Sequence, residues 1–466
     1  MNPKASLWKA FLHLGVYKYS AEVLAFLGSI IISRLLTPSE YGLIAMIAVG
    51  YLFIARFSNP GYTDMVVREA DSTDHRGEIQ WIFTLHGMLL CLMMLIVAYP
   101  LSWFYHEPGI VAPAMVYGAI LFLYALPGAS ESFLMKRKEL VLIFKTELWG
   151  TVMGLVLTVG LAYFGWSYWS LILPHLVIPL FYMAVYQYCE PIPWKMPTLK
   201  SLKNVALKMR SLVTQISKVN LVEYWEDQAD NFWIGRLQGS AVLGVYNRAF
   251  LVSHLPRALF KPLINSILLP EWQDYPNHTH QINRTYGVLI TVILSLCILP
   301  MVVVMLFPEP ISVWLWGKNW AGVAPFLGVL ALVMGFQVVC STSRIMFVLA
   351  RKERLYTRYA WIQGTVIILV VTVTAFISID ILVQALVLAV LLVKVPSFAF
   401  WCLRISLNLT WKEIGGLLGF PWLLHLMTWL FLVLDLSQFL VLSLGALAGW
   451  SLVNLYRKRR IFTSDG

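Results

Sequence analysis

Charge is scarce in this sequence: Asp, Glu, Lys and Arg fill only 13% of its 466 positions, roughly half the share found in a water-soluble domain. Water is therefore not the main solvent of the folded chain. Cysteine is thin as well. Cys91, Cys189, Cys297, Cys340 and Cys402 lie within or at the ends of apolar runs, and no C-x-x-C pair offers metal ligation or redox chemistry. The sequence also lacks a G-x-x-x-x-G-K-[ST] phosphate loop, an H-E-x-x-H pair and a G-x-S-x-G elbow, so ATP-driven transport, metalloprotease and hydrolase chemistry have no basis in it. No cofactor, no metal and no enzyme activity are expected. The N-terminus has no short apolar core followed by a small-residue cleavage site, so the first apolar segment reads as a retained helix.

What the chain does have is apolar length, with 59% of its residues hydrophobic. A bilayer core needs about 20 apolar residues per helix. Charge clusters and Pro/Gly punctuation divide the chain into fourteen such segments, at 11–36, 41–57, 79–100, 110–130, 141–164, 168–189, 209–238, 241–268, 285–307, 321–349, 357–379, 381–402, 415–435 and 437–456. The fold expected is all-α, a polytopic membrane protein. The net charge of +11 falls in short clusters between these runs, where membrane lipid and topology account for it and nucleic acid is not needed. Lys and Arg collect in alternate loops: Arg68 and Arg76; Lys136, Arg137 and Lys138; Lys195, Lys200, Lys203 and Lys208; Arg284; Arg351, Lys352 and Arg354; Lys412. Because cytoplasmic loops hold the positive charge, both termini are expected inside, in agreement with the Arg457-Lys458-Arg459-Arg460 tail.

The chain also repeats itself. Ile32, Arg34, Leu35, Gly42 and Pro60 pair with Ile234, Arg236, Leu237, Gly244 and Pro262 at one ungapped offset. Arg137-Lys138-Glu139 and Gly150 pair with Arg351-Lys352-Glu353 and Gly364 at a second offset, only slightly larger. A drift that small, absorbed in loops, predicts a duplicated unit of six helices, and an even helix count gives both copies one orientation. The expected organisation is a six-helix bundle at 1–189, a basic cytoplasmic linker at 190–208, a second parallel bundle at 209–402, and two further helices with a basic tail at 403–466. Two parallel bundles that rock about a central cavity are transporter architecture.

The segment Asp230-Asn231-Phe232-Trp233-Ile234-Gly235-Arg236-Leu237, followed by Gly239, Leu243-Gly244, Tyr246, Arg248-Ala249 and Leu255-Pro256, resembles the signature helix pair of bacterial polysaccharide flippases. These belong to the multidrug/oligosaccharidyl-lipid/polysaccharide transporter superfamily, and the likeness is to the branch containing the colanic acid exporter. Ser33-Arg34-Leu35-Leu36-Thr37-Pro38, Tyr41-Gly42, Trp316-Gly317, Trp320 and Ala324-Pro325 are similar to that branch in the same order. The resemblance implies ion-coupled flipping of an undecaprenyl-pyrophosphate-linked oligosaccharide across the bacterial inner membrane, for lipopolysaccharide or exopolysaccharide synthesis. Glycosyltransferases and a polymerase are expected as partners, and the intramembrane carboxylates point to a proton or sodium as coupling ion. Gln238 departs from the pattern, as do the extra acids Glu223, Glu226 and Asp227. A multidrug-type small-molecule antiporter is the alternative.

An ionisable side chain at the bilayer centre costs about 2.5–3.5 kcal/mol, so each must face protein, water or a partner. Lys18 and Glu22 share a face at i and i+4 and are placed to neutralise each other. Glu223, Asp227 and Asp230 form one stripe of the seventh helix with Glu226 beside it, and such a stripe, with Glu22, is the expected ion-coupling site. His254, Arg257 and Lys261 form a cationic stripe on the eighth helix, where fixed cations hold a pyrophosphate through charge-assisted hydrogen bonds. Arg248, Arg344 and Lys18 are expected to join that anion site, whereas Lys394 is expected to snorkel to the headgroups.

Overall fold

The structure, a computed structural model, describes residues 3–58, 62–68, 75–194, 196–273 and 279–463, with side chains described outside 3–14, 64, 68, 199–220, 261–263, 265–273, 279–282 and 457–463. It is helical throughout, with no strand among the described residues. The first helices are α1 (Pro3–Leu35), α2 (Pro38–Ala55), the short α3 (Tyr62–Arg68), α4 (Arg76–Tyr105), α5 (Val111–Ala125), α6 (Gly128–Lys136), α7 (Leu140–Tyr163) and α8 (Pro174–Cys189). The long α9 (Leu199–Gln273) is interrupted at Gly239, whose φ of 81° is left-handed. There follow α10 (Thr279–Leu306), α11 (Pro308–Trp316), α12 (Ala324–Ala331), α13 (Met334–Ser341), α14 (Ser343–Leu349), α15 (Glu353–Ala375), α16 (Ile379–Ala389), α17 (Val395–Ser397), α18 (Trp411–Ile414), α19 (Phe420–Val433) and α20 (Ser437–Thr463).

Among the described residues, eleven helices are long and apolar enough to cross a bilayer, or twelve if Lys318–Ala331 and Met334–Leu349, bent by 55°, form one broken span. The two halves of α9 cover the seventh and eighth of the fourteen expected segments but are not among those helices. The outer faces of the spans are apolar where water would demand charge: Ile96 is 71% exposed, Val156 66% and Leu442 69%. Trp103, Trp166 and Trp314 stand exposed near span ends, as interfacial anchors do.

The chain divides into two compact units, one of residues Met1–Tyr224 with Ile234–Gly244, the other of Trp225–Trp233 with Val245–Gly466. In the first unit helices approach closely over small residues. A Cβ on Gly42 would land on the Ser240 carbonyl, and one on Gly244 on the Pro38 carbonyl. Thr37 opens α2 with a capping box, its hydroxyl taking the Glu40 N–H at 3.4 Å while the Glu40 carboxylate takes the Thr37 N–H at 2.6 Å. In the second unit α20 packs on α10, where the Ser451 hydroxyl donates to the Ser295 carbonyl at 2.5 Å, and on α19, where Thr428 donates to Ser443 at 3.0 Å.

Candidate substrate and coupling site

The second unit gathers intramembrane charges into two ion pairs. Arg257 Nη1 stands 3.2 Å from Asp227 Oδ1, and the two side chains keep 25% and 24% of their surface exposed. Lys394 Nζ reaches Glu226 Oε1 at 2.5 Å, with only 15% and 11% exposed, and Gln363 donates to both Glu226 oxygens at 3.2 and 3.4 Å. Lys394 therefore does not snorkel, contrary to the sequence expectation. The reason is local. Pro396 has no N–H to donate, and the turn at Val390–Lys394 widens to π-helix, with the Val395 N–H bonding back to Val390. With Glu226 in reach, pairing inside the protein is better for the ammonium than a stretch to the headgroups.

Asp230 is 2% exposed. Its oxygens accept the Tyr246 hydroxyl at 2.5 Å and the Asn231 N–H at 2.7 Å, while Asn247 donates to Asn231 at 3.1 Å. These bonds join the stretch before Gly239 to the stretch after it. His254 stacks on Phe250 with ring centroids 3.7 Å apart, and its Nδ1 lies 3.0 Å from the Ser253 hydroxyl. Arg248 is buried over the Trp320 ring at 5.5 Å, and Arg344 is exposed. The Lys261 side chain lies outside the described residues, as do those of Lys200, Lys203, Lys208 and the Arg457–Arg460 cluster, and Lys195 is likewise outside them.

In the first unit Glu223 stands 4.0 Å from Arg56. Lys18 and Glu22 form no ion pair among the described residues: Lys18 lies over the Phe144 ring at 5.4 Å, Glu22 is exposed, and both are within electrostatic reach of Glu147. One helical turn of separation permits a pair, but the Phe144 face offers the ammonium a competing partner.

Sequence reasoning missed a buried acid. Glu190, with none of its side chain exposed, pairs with Arg76 and, at 2.7 Å, with Arg137. Arg76 also lies over the Phe133 ring at 4.7 Å. The signal was a lone acid between the end of an apolar run and Pro191, opposite loops already known to be basic.

Residues 31–325 match the family described as polysaccharide biosynthesis protein. The chain is 21% identical to the membrane protein in the cps region of Klebsiella pneumoniae, over 77% of this chain and 73% of that one. It is 23% identical to the succinoglycan biosynthesis transport protein ExoT of Rhizobium meliloti, over 67% of this chain and 63% of ExoT. With the lipopolysaccharide biosynthesis protein WzxC of Escherichia coli it shares 19% identity over 65% of this chain and 62% of WzxC, so it spans less than two thirds of both transport and lipopolysaccharide relatives. In structure it is similar to the lipid II flippase MurJ in an inward closed conformation, with a TM-score of 0.69 over 97% of this chain and 99% of MurJ at 12% identity. An inward-facing multidrug resistance MATE family transporter of the MOP superfamily gives 0.60 over 84% of this chain and 99% of that one, also at 12% identity. Those two likenesses establish the fold, an all-α polytopic one.

Proposed function

The chain belongs to the polysaccharide biosynthesis protein family, and on that premise we propose that it flips an oligosaccharide carried on undecaprenyl pyrophosphate from the inner to the outer leaflet of the bacterial plasma membrane. Transport runs by alternating access of two six-helix bundles, with both termini cytoplasmic, and draws on a proton or sodium gradient. Glycosyltransferases supply the cargo and a polymerase receives it. The names of ExoT and WzxC support the cargo class.

The observation that carries the reading is the Arg257–Asp227 pair, which is held together yet a quarter exposed. A pyrophosphate carries more charge than a carboxylate and offers the guanidinium fork several acceptors, so it displaces Asp227 from Arg257. The released carboxylate has then lost its guanidinium partner inside a membrane protein, and a proton or sodium ion takes that place. Anion binding and ion uptake are thereby linked through one contact. Lys394 and Gln363 both bind the Glu226 carboxylate and keep that acid out of the exchange.

The test is export in a deletion strain carrying plasmid variants, with substrate binding measured separately on the purified protein. Arg257→Gln should weaken pyrophosphate binding about tenfold to a hundredfold, as expected for loss of a charged hydrogen bond, and stop export while leaving the amount of folded protein unchanged. Arg257→Lys should keep part of both. Asp227→Asn should bind pyrophosphate at least as well as the native protein, because the competing carboxylate is gone, and should lose its dependence on the ion gradient. Normal export by Arg257→Gln would remove the anion site from α9. Normal glycan export by the deletion strain, together with new sensitivity to cationic dyes, would favour the small-molecule antiporter.

A further inference from the structure

The first unit holds a cavity that the charge exchange at Arg257 does not use. Its volume is about 280 Å³, and its lining includes Tyr51, Phe83 and Tyr124 together with Ser58, Thr63 and Glu131. Small-molecule sites span roughly 300–1,000 Å³, so the space suits one ring-sized ligand rather than a chain of them. Several lining groups are fixed by neighbours. The Thr63 hydroxyl lies 2.9 Å from that of Ser132, and the Tyr124 hydroxyl 3.4 Å from His175 Nδ1. Phe83 presses on Gly128 so closely that a Cβ there would stand 2.6 Å from its ring.

Glu131 is different. Among the described residues its carboxylate enters no ion pair and no side-chain hydrogen bond, and the charged group whose field it feels is a second acid, Glu147. An acid placed there without a cation has a cost that a ligand offsets.

Aromatic rings, short hydroxyls and a partly buried carboxyl group match the chemistry of a pyranose. Its C–H faces lie against rings, and neighbouring hydroxyls that donate to the two carboxyl oxygens favour the charged form of Glu131. A phosphate or an acidic sugar would add a third acid beside Glu131 and Glu147. We propose that this cavity binds one neutral sugar ring of the cargo, with Glu131 accepting from two of its hydroxyls and Tyr124 packing on its face. The assignment rests on the export reading above, since only that reading makes a sugar the cargo.

Saturation-transfer NMR on the full-length protein in lipid nanodiscs tests it, with the methyl pyranosides of glucose, galactose and N-acetylglucosamine as probes and inorganic pyrophosphate run in parallel. At least one glycoside should bind. Glu131→Gln should weaken it about tenfold or more, the loss expected when an acceptor in a hydrogen bond loses its charge, and Tyr124→Ala should weaken it too. Melting temperature and size-exclusion profile establish that each variant is folded. Arg257→Gln should lose pyrophosphate and keep the glycoside. If no glycoside binds, or if Glu131→Gln binds it as the native protein does, the inference is overturned. A variant Glu131→Gln that loses only sodium or proton dependence makes the cavity an ion site and overturns it as well. Pyrophosphate binding that survives Arg257→Gln, with glycoside binding lost in Glu131→Gln, sinks the anion site and leaves the sugar site standing.

Discussion

At the scale of single residues, burial decides which charges matter, and burial is what a sequence hides. Glu190 reads as an ordinary acid at the end of an apolar run, yet its carboxylate is fully enclosed and takes Arg76 on one oxygen and Arg137 on the other. Removing one member of a buried pair costs about 3–5 kcal/mol. Arg137 is 59% exposed and Arg76 26%, so water compensates part of the loss and the lower end applies. Glu190→Gln is therefore expected to lower stability by about 3 kcal/mol, read as a drop in melting temperature in detergent, and Glu190→Asp to lose less. A melting temperature within a degree of the native protein's would make the cluster a surface ion pair. The stripe of Glu223, Asp227 and Asp230 was legible because helical spacing puts the three on one side. Their different fates were not, since Glu223 meets Arg56, Asp227 meets Arg257 and Asp230 meets Tyr246, and all three partners are remote in the chain or across a break. Lys394 escaped for a related reason: its direction depends on a π-turn that apolar periodicity does not encode.

At the scale of elements, the repeat supplies a physical meaning for its own markers. The offset that pairs Arg34 with Arg236 also sets Thr37 opposite Gly239. Both sit where a helix is interrupted, the one as a cap with φ −89° and the other as a left-handed glycine. Two further glycines in the same register, Gly42 and Gly244, meet each other: a Cβ on Gly244 would come within 3.0 Å of the Gly42 nitrogen, besides striking the Pro38 carbonyl. Backbone gives way less readily than a side chain, so Gly42→Ala or Gly244→Ala should cost at least the roughly 1–3 kcal/mol typical of overpacking. The expected reading is a reduced yield of monodisperse protein from membranes, with Gly160→Ala, where nothing lies within 4 Å, as the harmless control. Equal yields from all three would mean that these helices separate easily. The basic loops are built alike too. Glu139 N–H bonds back to Leu134 and Lys138 to Met135; Lys352 bonds back to Phe347 and Arg351 to Val348. Each is a Schellman closure with a left-handed residue, Lys138 or Arg351. The side-chain match pairs Lys138 with Lys352 instead, so the backbone register is displaced by one position from it, a shift no sequence comparison would report.

At the scale of the whole molecule, the spans themselves were readable because a bilayer demands long apolar runs and tolerates little else. Breaks inside them were less so: α12 to α14 cover one expected span, and α11 fills what reads as a loop. Topology is open to labelling. With the five native cysteines replaced by alanine, Glu139→Cys and Arg354→Cys should both resist a membrane-impermeant thiol reagent in intact cells and react after lysis. Reaction of only one in intact cells would break the parallel arrangement, since six-helix copies cannot face opposite ways. The same architecture bears on biogenesis. The first unit includes Ile234–Gly244, a stretch translated after the basic linker, and it is there that Gly235 meets Tyr105 and Met46 and Gly244 meets Pro38. A nascent chain that has reached only α8 thus lacks a wall of its first unit. Its early helices must wait in the lipid, apolar faces to the acyl chains and small residues unpaired, until α9 emerges from the ribosome and closes them.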